Sequence, residues 1–173
     1  MIMQQPTSGP VPVSKVQPFI GLDQAFNVAV NHIASRLCPT GYDTGKGPEN
    51  LADLRYYYKR TKRLMVSMDY SDPELTIFGC RETNYAFRAW HDWHHLKLSA
   101  PFNLDGKTTV ANAQADDLLN LYGAATSCYW RELLEIEVVG QACYMEYHGQ
   151  FPTDQIGFTR HMLANGSFSR VFH

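Results

Sequence analysis

The chain has no run of about 18 apolar residues, so no segment of it is long enough to cross a bilayer as a helix. It has almost no net charge. Fifteen Lys and Arg against seventeen Asp and Glu leave −2, so nucleic acid or an anionic membrane would have to be met by a local patch. Cysteine is scarce and scattered: Cys38, Cys80, Cys128 and Cys143 form no C-x-x-C pair. No basic stretch followed by an apolar run opens the chain. A cytoplasmic protein with reduced, buried thiols is therefore expected, rather than a disulfide-stapled one. A glycine-rich phosphate loop is also missing, because Thr44-Gly45-Lys46-Gly47 lacks the required spacing, and no nucleotide cofactor is expected. The absence of any Glu-x-x-His motif excludes a di-iron carboxylate bundle. There is no internal repeat and no low-complexity tract.

What is present points to one folded domain. At 173 residues, with 45% hydrophobic and 18% charged residues, the chain can bury a sizeable core. Residues 1–19 carry Pro6, Gly9, Pro10, Pro12 and Pro18 and read as an irregular arm before a single domain over 20–173. Leu22, Ala25, Phe26, Ala29, Val30, Ile33 and Leu37 follow helical spacing, stopped by Pro39 and Gly41. Residues 40–49 read as a loop, and Asn50 caps a short helix to about Arg60. Leu64, Val66, Met68 and Tyr70 alternate with Met65, Ser67 and Asp69. That predicts a strand, with Leu75-Thr76-Ile77-Phe78 as its antiparallel partner across a Ser71-Asp72-Pro73 turn. Helices follow over about 84–98, 105–122 with Gly123 as a stop, 127–148, and from Thr153 to about Asn165. The expected architecture is mainly α, with five to six helices and one small β-hairpin ahead of the fourth-from-last helix. The edges of a lone hairpin need a cover, so a homodimer is an expected partner arrangement.

The densest chemistry lies in Arg88-Ala89-Trp90-His91-Asp92-Trp93-His94-His95. On a helix, Arg88, His91, Asp92 and His95 fall at i, i+3, i+4 and i+7 and share a face. Two histidines four apart can hold one metal ion, zinc or another divalent cation. Asp92 then serves either as the base for bound water or as a group orienting a ligand. Arg88 binds an anionic substrate group or pairs with Asp92 at i, i+4. His94 points about 100° away and is not expected to be a ligand.

A third ligand is expected from the long helix. Glu137, Gln141, Tyr144 and His148 lie at i, i+4, i+7 and i+11, a polar stripe among Leu133, Leu134, Val138, Val139 and Met145. Glu137 is the candidate third ligand. Gln141, Tyr144 and His148 are candidates to support the metal or touch substrate. Gly140 inside that helix costs roughly 1 kcal/mol against alanine and suggests a close approach by backbone or ligand. The stripe could equally be a solvated face, and the histidines could be hydrogen-bonded structural groups.

A second reading is not catalytic. Arg55-Tyr56-Tyr57-Tyr58-Lys59-Arg60-Thr61-Lys62-Arg63 places five cations and three tyrosines in nine positions. Arg55, Lys59, Arg60, Lys62 and Arg63 could hold phosphates while Tyr57 stacks on a base. The alternative is an amphipathic helix with its tyrosines in the core and its cations solvated.

The Asn84-Tyr85-Ala86-Phe87-Arg88-Ala89-Trp90-His91-Asp92 segment, with Glu137-Val138-Val139-Gly140-Gln141 downstream, resembles an N-x-x-F-R-x-x-H-D … E-x-x-G-Q pattern of phage and bacterial proteins. The resemblance covers roughly residues 63–152. It implies that His91, Asp92, Glu137 and Gln141 share one site, and it brings a host protein in as a partner and a host cytoplasm as the setting. Lys107 stands where that pattern has an acid. His91-Asp92-x-x-His95 is more distantly similar to the His-Glu-x-x-His zinc hydrolases, one methylene short at the acid. The doublet also resembles that of the HD phosphohydrolases, which would add His32 and Asp116 or Asp117; the 59-residue gap from His32 is long for them. The sequence therefore supports a zinc-type hydrolase with its site between the two motif helices, or a non-catalytic protein binding nucleic acid or a host protein.

Overall fold

A computed structural model describes residues 18–165; the expected arm over 1–19 lies almost wholly outside the described residues. The chain is mainly α, in the order α1 (Gln24–Leu37), β1 (Tyr42–Gly45), α2 (Leu51–Thr61), β2 (Leu64–Ser67), α3 (Arg81–Leu98), α4 (Leu104–Glu135), a π-helical turn (Ile136–Gly140), α5 (Gln141–His148) and α6 (Gln155–Asn165). Among the described residues no helix is long and apolar enough to cross a membrane.

Short polar side chains start three of these helices. Asp23 accepts from Phe26 N–H, Asn50 from Asp53 N–H and Asn103 from Gly106 N–H, each satisfying a donor that the first turn leaves open. The start of α4 is thus Asn103, two residues before the expected Asp105. Gly106 lets the helix begin directly against Pro101, whose carbonyl oxygen would lie 1.9 Å from any Cβ there.

The expected hairpin is not formed. Leu64 and Val66 are buried and alternate with half-buried Met65 and Ser67, as a strand should, but the partner is Tyr42–Gly45, and the pairing is parallel. Helix α2 is the crossover that parallel strands require. Leu75–Phe78 could not have been the partner. Ile77 and Phe78 are adjacent and both buried, whereas a strand sends neighbours to opposite faces. They form a coil plug under α1, with Leu22 N–H donating to Ile77 O. The two-stranded parallel sheet still has two edges.

Gly123 interrupts α4 at φ 75°, ψ 165°. The two halves then run back along each other: Tyr122 packs on Trp130 at 5.3 Å, and Thr108, Ala111 and Ala115 share a crevice with Arg131, Leu134 and Val139. One glycine therefore makes the turn of an antiparallel helix pair. Ser127, where the second helix is expected to begin, lies buried inside it. The main core joins this pair to α1 and α3 through Phe26, Val30, Ile33, Phe78, Phe87, Trp90, Leu118, Leu133 and Leu134. A second cluster, Cys38, Leu54, Leu64, Val66 and Ala89, seats the small sheet on α3. All four cysteines are free, but only Cys38 is buried; Cys128 is exposed, so the expectation of uniformly buried thiols fails. Burial pushes the Cys38 thiol up to about 12.

Candidate functional site

A cavity of about 520 Å³ opens between α3, the start of α4, the π-turn and α5. Arg88, His91, Asp92, His95, Glu137 and Gln141 all line it. The two motif segments read from the sequence therefore face one cavity. Tyr144 and His148 do not line the cavity. Tyr144 instead packs on His148 at 4.1 Å and edge-on against Phe158 at 5.4 Å. The π-turn is the cause. It inserts one residue, turning everything after it back by about 100°, so the place expected for Tyr144 is taken by Met145.

The two histidines are locked from behind. His95, fully buried, donates from Nδ1 to the Ala100 carbonyl oxygen at 2.9 Å, because that oxygen can only accept. His91 Nδ1 faces Gln114 Oε1 at 3.1 Å. Their Nε2 atoms face each other at 3.0 Å. Burial holds both imidazoles below their ordinary pKa, so both are neutral at pH 7. With both protons on Nδ1, two Nε2 lone pairs point at one another, and a shared cation relieves that contact. The buried Gln114 amide bears on this directly, because its Nε2 has no partner. Turned over, the amide would donate to His91 Nδ1 and leave Oε1 unpartnered, and His91 Nε2 would then donate to His95 without any cation. Each Gln114 orientation leaves one amide atom unpaired, so what lies between the imidazoles decides between them.

The carboxyls are arranged differently from expectation. Among the described residues no three His, Cys, Asp or Glu side chains are placed to hold a metal ion, so Glu137 does not complete a three-ligand set. Its carboxylate instead accepts from Gln141 Nε2 at 2.7 Å. Burial raises Glu137 to about 8, against the pull of Arg88. Asp92, beside His91, is raised to about 7 by burial, with Arg88 and Lys107 pulling the other way. Arg88 forms no ion pair with Asp92. It donates to Ser67 O at 2.6 Å and Tyr70 O at 3.4 Å, tying the end of β2 to the cavity wall.

Two polar residues of the site, Lys107 and Gln114, were given no role in it by the sequence reading. Both lie on α4 seven residues apart, among the buried Val110, Ala111 and Leu118, and polar groups on an apolar stripe are the signal that could have found them.

His94 does not line the cavity; its Nε2 meets Asp117 Oδ2 at 2.7 Å, and the same oxygen accepts from Trp90 Nε1. His32 lies on Tyr122 OH. Of the extra members of a phosphohydrolase set, His32 and Asp117 are therefore occupied elsewhere, and Asp116 is exposed.

No family model, curated protein or solved structure matches this chain. The resemblance to the phage and bacterial pattern rests on its motif residues alone.

The basic segment is partly engaged by the fold, while Arg55, Lys59, Arg60 and Lys62 are exposed. Arg63 Nε lies 2.9 Å from Asp43 Oδ1, and its other nitrogens go to the carbonyls of Thr40 and Tyr42. Tyr57 OH donates to Asp43 at 2.8 Å, and Arg55 donates to Ser99 Oγ. Tyr58 packs on Trp93, and Arg60 lies over Tyr56. Arg63→Met is expected to lower stability by about 1–2 kcal/mol in a urea titration, because it removes the clamp on β1. An unchanged midpoint would return Arg63 to the solvated surface.

Proposed function

We propose that this protein is a hydrolase-type enzyme that takes a divalent cation, zinc or similar, between His91 and His95 in the cavity under α3. The observation that carries the reading is the pair of Nε2 atoms 3.0 Å apart, with each Nδ1 turned to a carbonyl oxygen. Metal-bound histidines are commonly braced in this way through the second nitrogen. A tetrahedral ion with bonds of about 2.0–2.1 Å would part the two nitrogens by a further ~0.3 Å, a small rotation of the rings. A bound ion would supply Lewis acidity, polarising a substrate oxygen and acidifying water.

The chain's own groups do the rest. Glu137, largely protonated at neutral pH, is the proton donor for a leaving group, and Gln141 fixes its orientation. Asp92 borders the same cavity with no side-chain partner among the described residues and is the group that accepts a proton. Arg88 tempers both carboxyls and anchors the wall. The free thiols suit a reducing cytoplasm, and a host cytoplasm if the chain is phage-encoded. The nucleic-acid reading gains nothing from a segment whose Tyr57 and Arg63 are spent on Asp43.

Zinc titration of metal-stripped protein by calorimetry tests the reading. One ion per chain is expected, with affinity reduced about 100-fold or more in His91→Ala and in His95→Ala while both keep their circular dichroism. If zinc does not bind and ¹⁵N spectra place the His91 proton on Nε2, the imidazoles are a plain hydrogen-bonded pair and the metal reading is wrong.

A further inference from the structure

We propose that the ligand of this cavity carries a carboxylate, and that the Lys107 ammonium is the group that holds it. This rests on the cavity being the active site, and it moves the anion-binding role from Arg88, where the sequence placed it, to α4.

Two cations line the cavity. Arg88 is already engaged by two backbone carbonyls. Lys107 is half-buried, and among the described residues its Nζ has no carboxylate within 4.0 Å and no hydrogen-bond acceptor. What lies near it is the face of Phe151, 5.0 Å from Nζ. Burial lowers its pKa, while the more distant Asp92 and Glu146 favour its charged form. An ammonium withdrawn from water with three unused donors is costly, and an anion entering the cavity removes that cost. Glu49, Asp69, Asp92 and Glu137 line the same cavity, so beside Lys107 a singly charged carboxylate fits where a doubly charged phosphate would be repelled. The walls define the remainder of the molecule. Phe87, Phe102, Phe151 and Tyr70 offer apolar surface around the polar groups, and the volume suits a small organic molecule. The ligand class is a small acid with an apolar or aromatic body.

The probe is phenylacetate, titrated by calorimetry into the full chain in EDTA and again with zinc, beside phenylacetamide and benzylphosphonate. Phenylacetate is expected to bind in both conditions. Phenylacetamide should bind roughly ten-fold or more weakly, and Lys107→Met should lose a similar factor, whereas Lys107→Arg should retain binding. Lys107→Met should melt no lower than the parent chain, since it removes an unpaired charge. Several results would overturn the proposal: no phenylacetate binding, equal binding of the amide, unchanged binding in Lys107→Met, or a preference for the phosphonate. Phenylacetate binding that vanishes in EDTA and returns with zinc would place the carboxylate on the metal and also overturn it. Failure of the metal reading shows up separately, as zinc failing to bind the parent chain while phenylacetate still binds in EDTA.

Discussion

Gly123→Ala is expected to lower the stability of this fold by about 1–3 kcal/mol and its melting temperature by roughly 3–10 °C. The reason is purely one of backbone. At φ 75°, ψ 165° the residue occupies a region essentially closed to side chains, yet nothing in the structure lies within 4 Å of where a Cβ would sit. The substitution therefore adds no clash with neighbours, only the conformational cost. Alanine also prefers a helix to glycine by about 1 kcal/mol, so it favours running the two halves of α4 together as one rod. A straightened rod would expose Leu118, Leu133 and Leu134 until a second chain supplied the missing half. A domain-swapped dimer is then the expected companion of the destabilised monomer, visible by light scattering after chromatography. Gly149→Ala is the control. That glycine ends α5 at φ 71°, ψ 5°, a left-handed cap that alanine tolerates better. An unchanged melting point and a monomeric Gly123→Ala chain would mean that residue 123 does not make the turn.

Glu137→Gln should flatten the pH dependence of stability in metal-free protein. The carboxyl sits at about 8 in the fold, against an ordinary value of 4.5. Between those values the folded chain holds a proton that the unfolded chain has released. Its contribution is thus fully present below about pH 4.5 and is lost as pH rises toward 8, by ~1.4 kcal/mol per pH unit. Over the whole window the loss is on the order of several kcal/mol. Glutamine carries no proton to lose. The variant should be more stable than the parent chain at pH 8.5 and nearly equal at pH 5, as read from urea midpoints. Asp92 titrates in the same window in both proteins, so the difference between them isolates Glu137. Parallel curves would show that Glu137 is ionised throughout. In the enzyme reading the same proton is the one donated, so activity should fall above about pH 8 and be absent in the variant.

The α3 motif was legible because helical periodicity is local. Once residues 81–98 form a helix, Arg88, His91, Asp92 and His95 must share a face. Its meeting with Glu137 and Gln141 followed from two polar stripes, each on an otherwise apolar helix. Tyr144 and His148 were misplaced because a single π-turn resets the phase of everything after it, and nothing in Ile136–Gly140 marks that insertion except a glycine. Tyr57 and Arg63 read as a binding surface because their partner, Asp43, is fourteen and twenty residues away on a strand that reads as loop.

By itself the sequence determined the helices, the cap at Asn50, the stop at Gly123 and the common face of the histidine motif. All of these follow from interactions within a few residues along the chain. Tertiary structure alone decided that β2 pairs in parallel with Tyr42–Gly45, that Glu137 turns to Gln141, and that Arg88 is absorbed by backbone carbonyls while Lys107 is left facing the cavity. Each of these depends on which groups become neighbours after collapse, when a buried donor or charge must find whatever partner the packing leaves within reach.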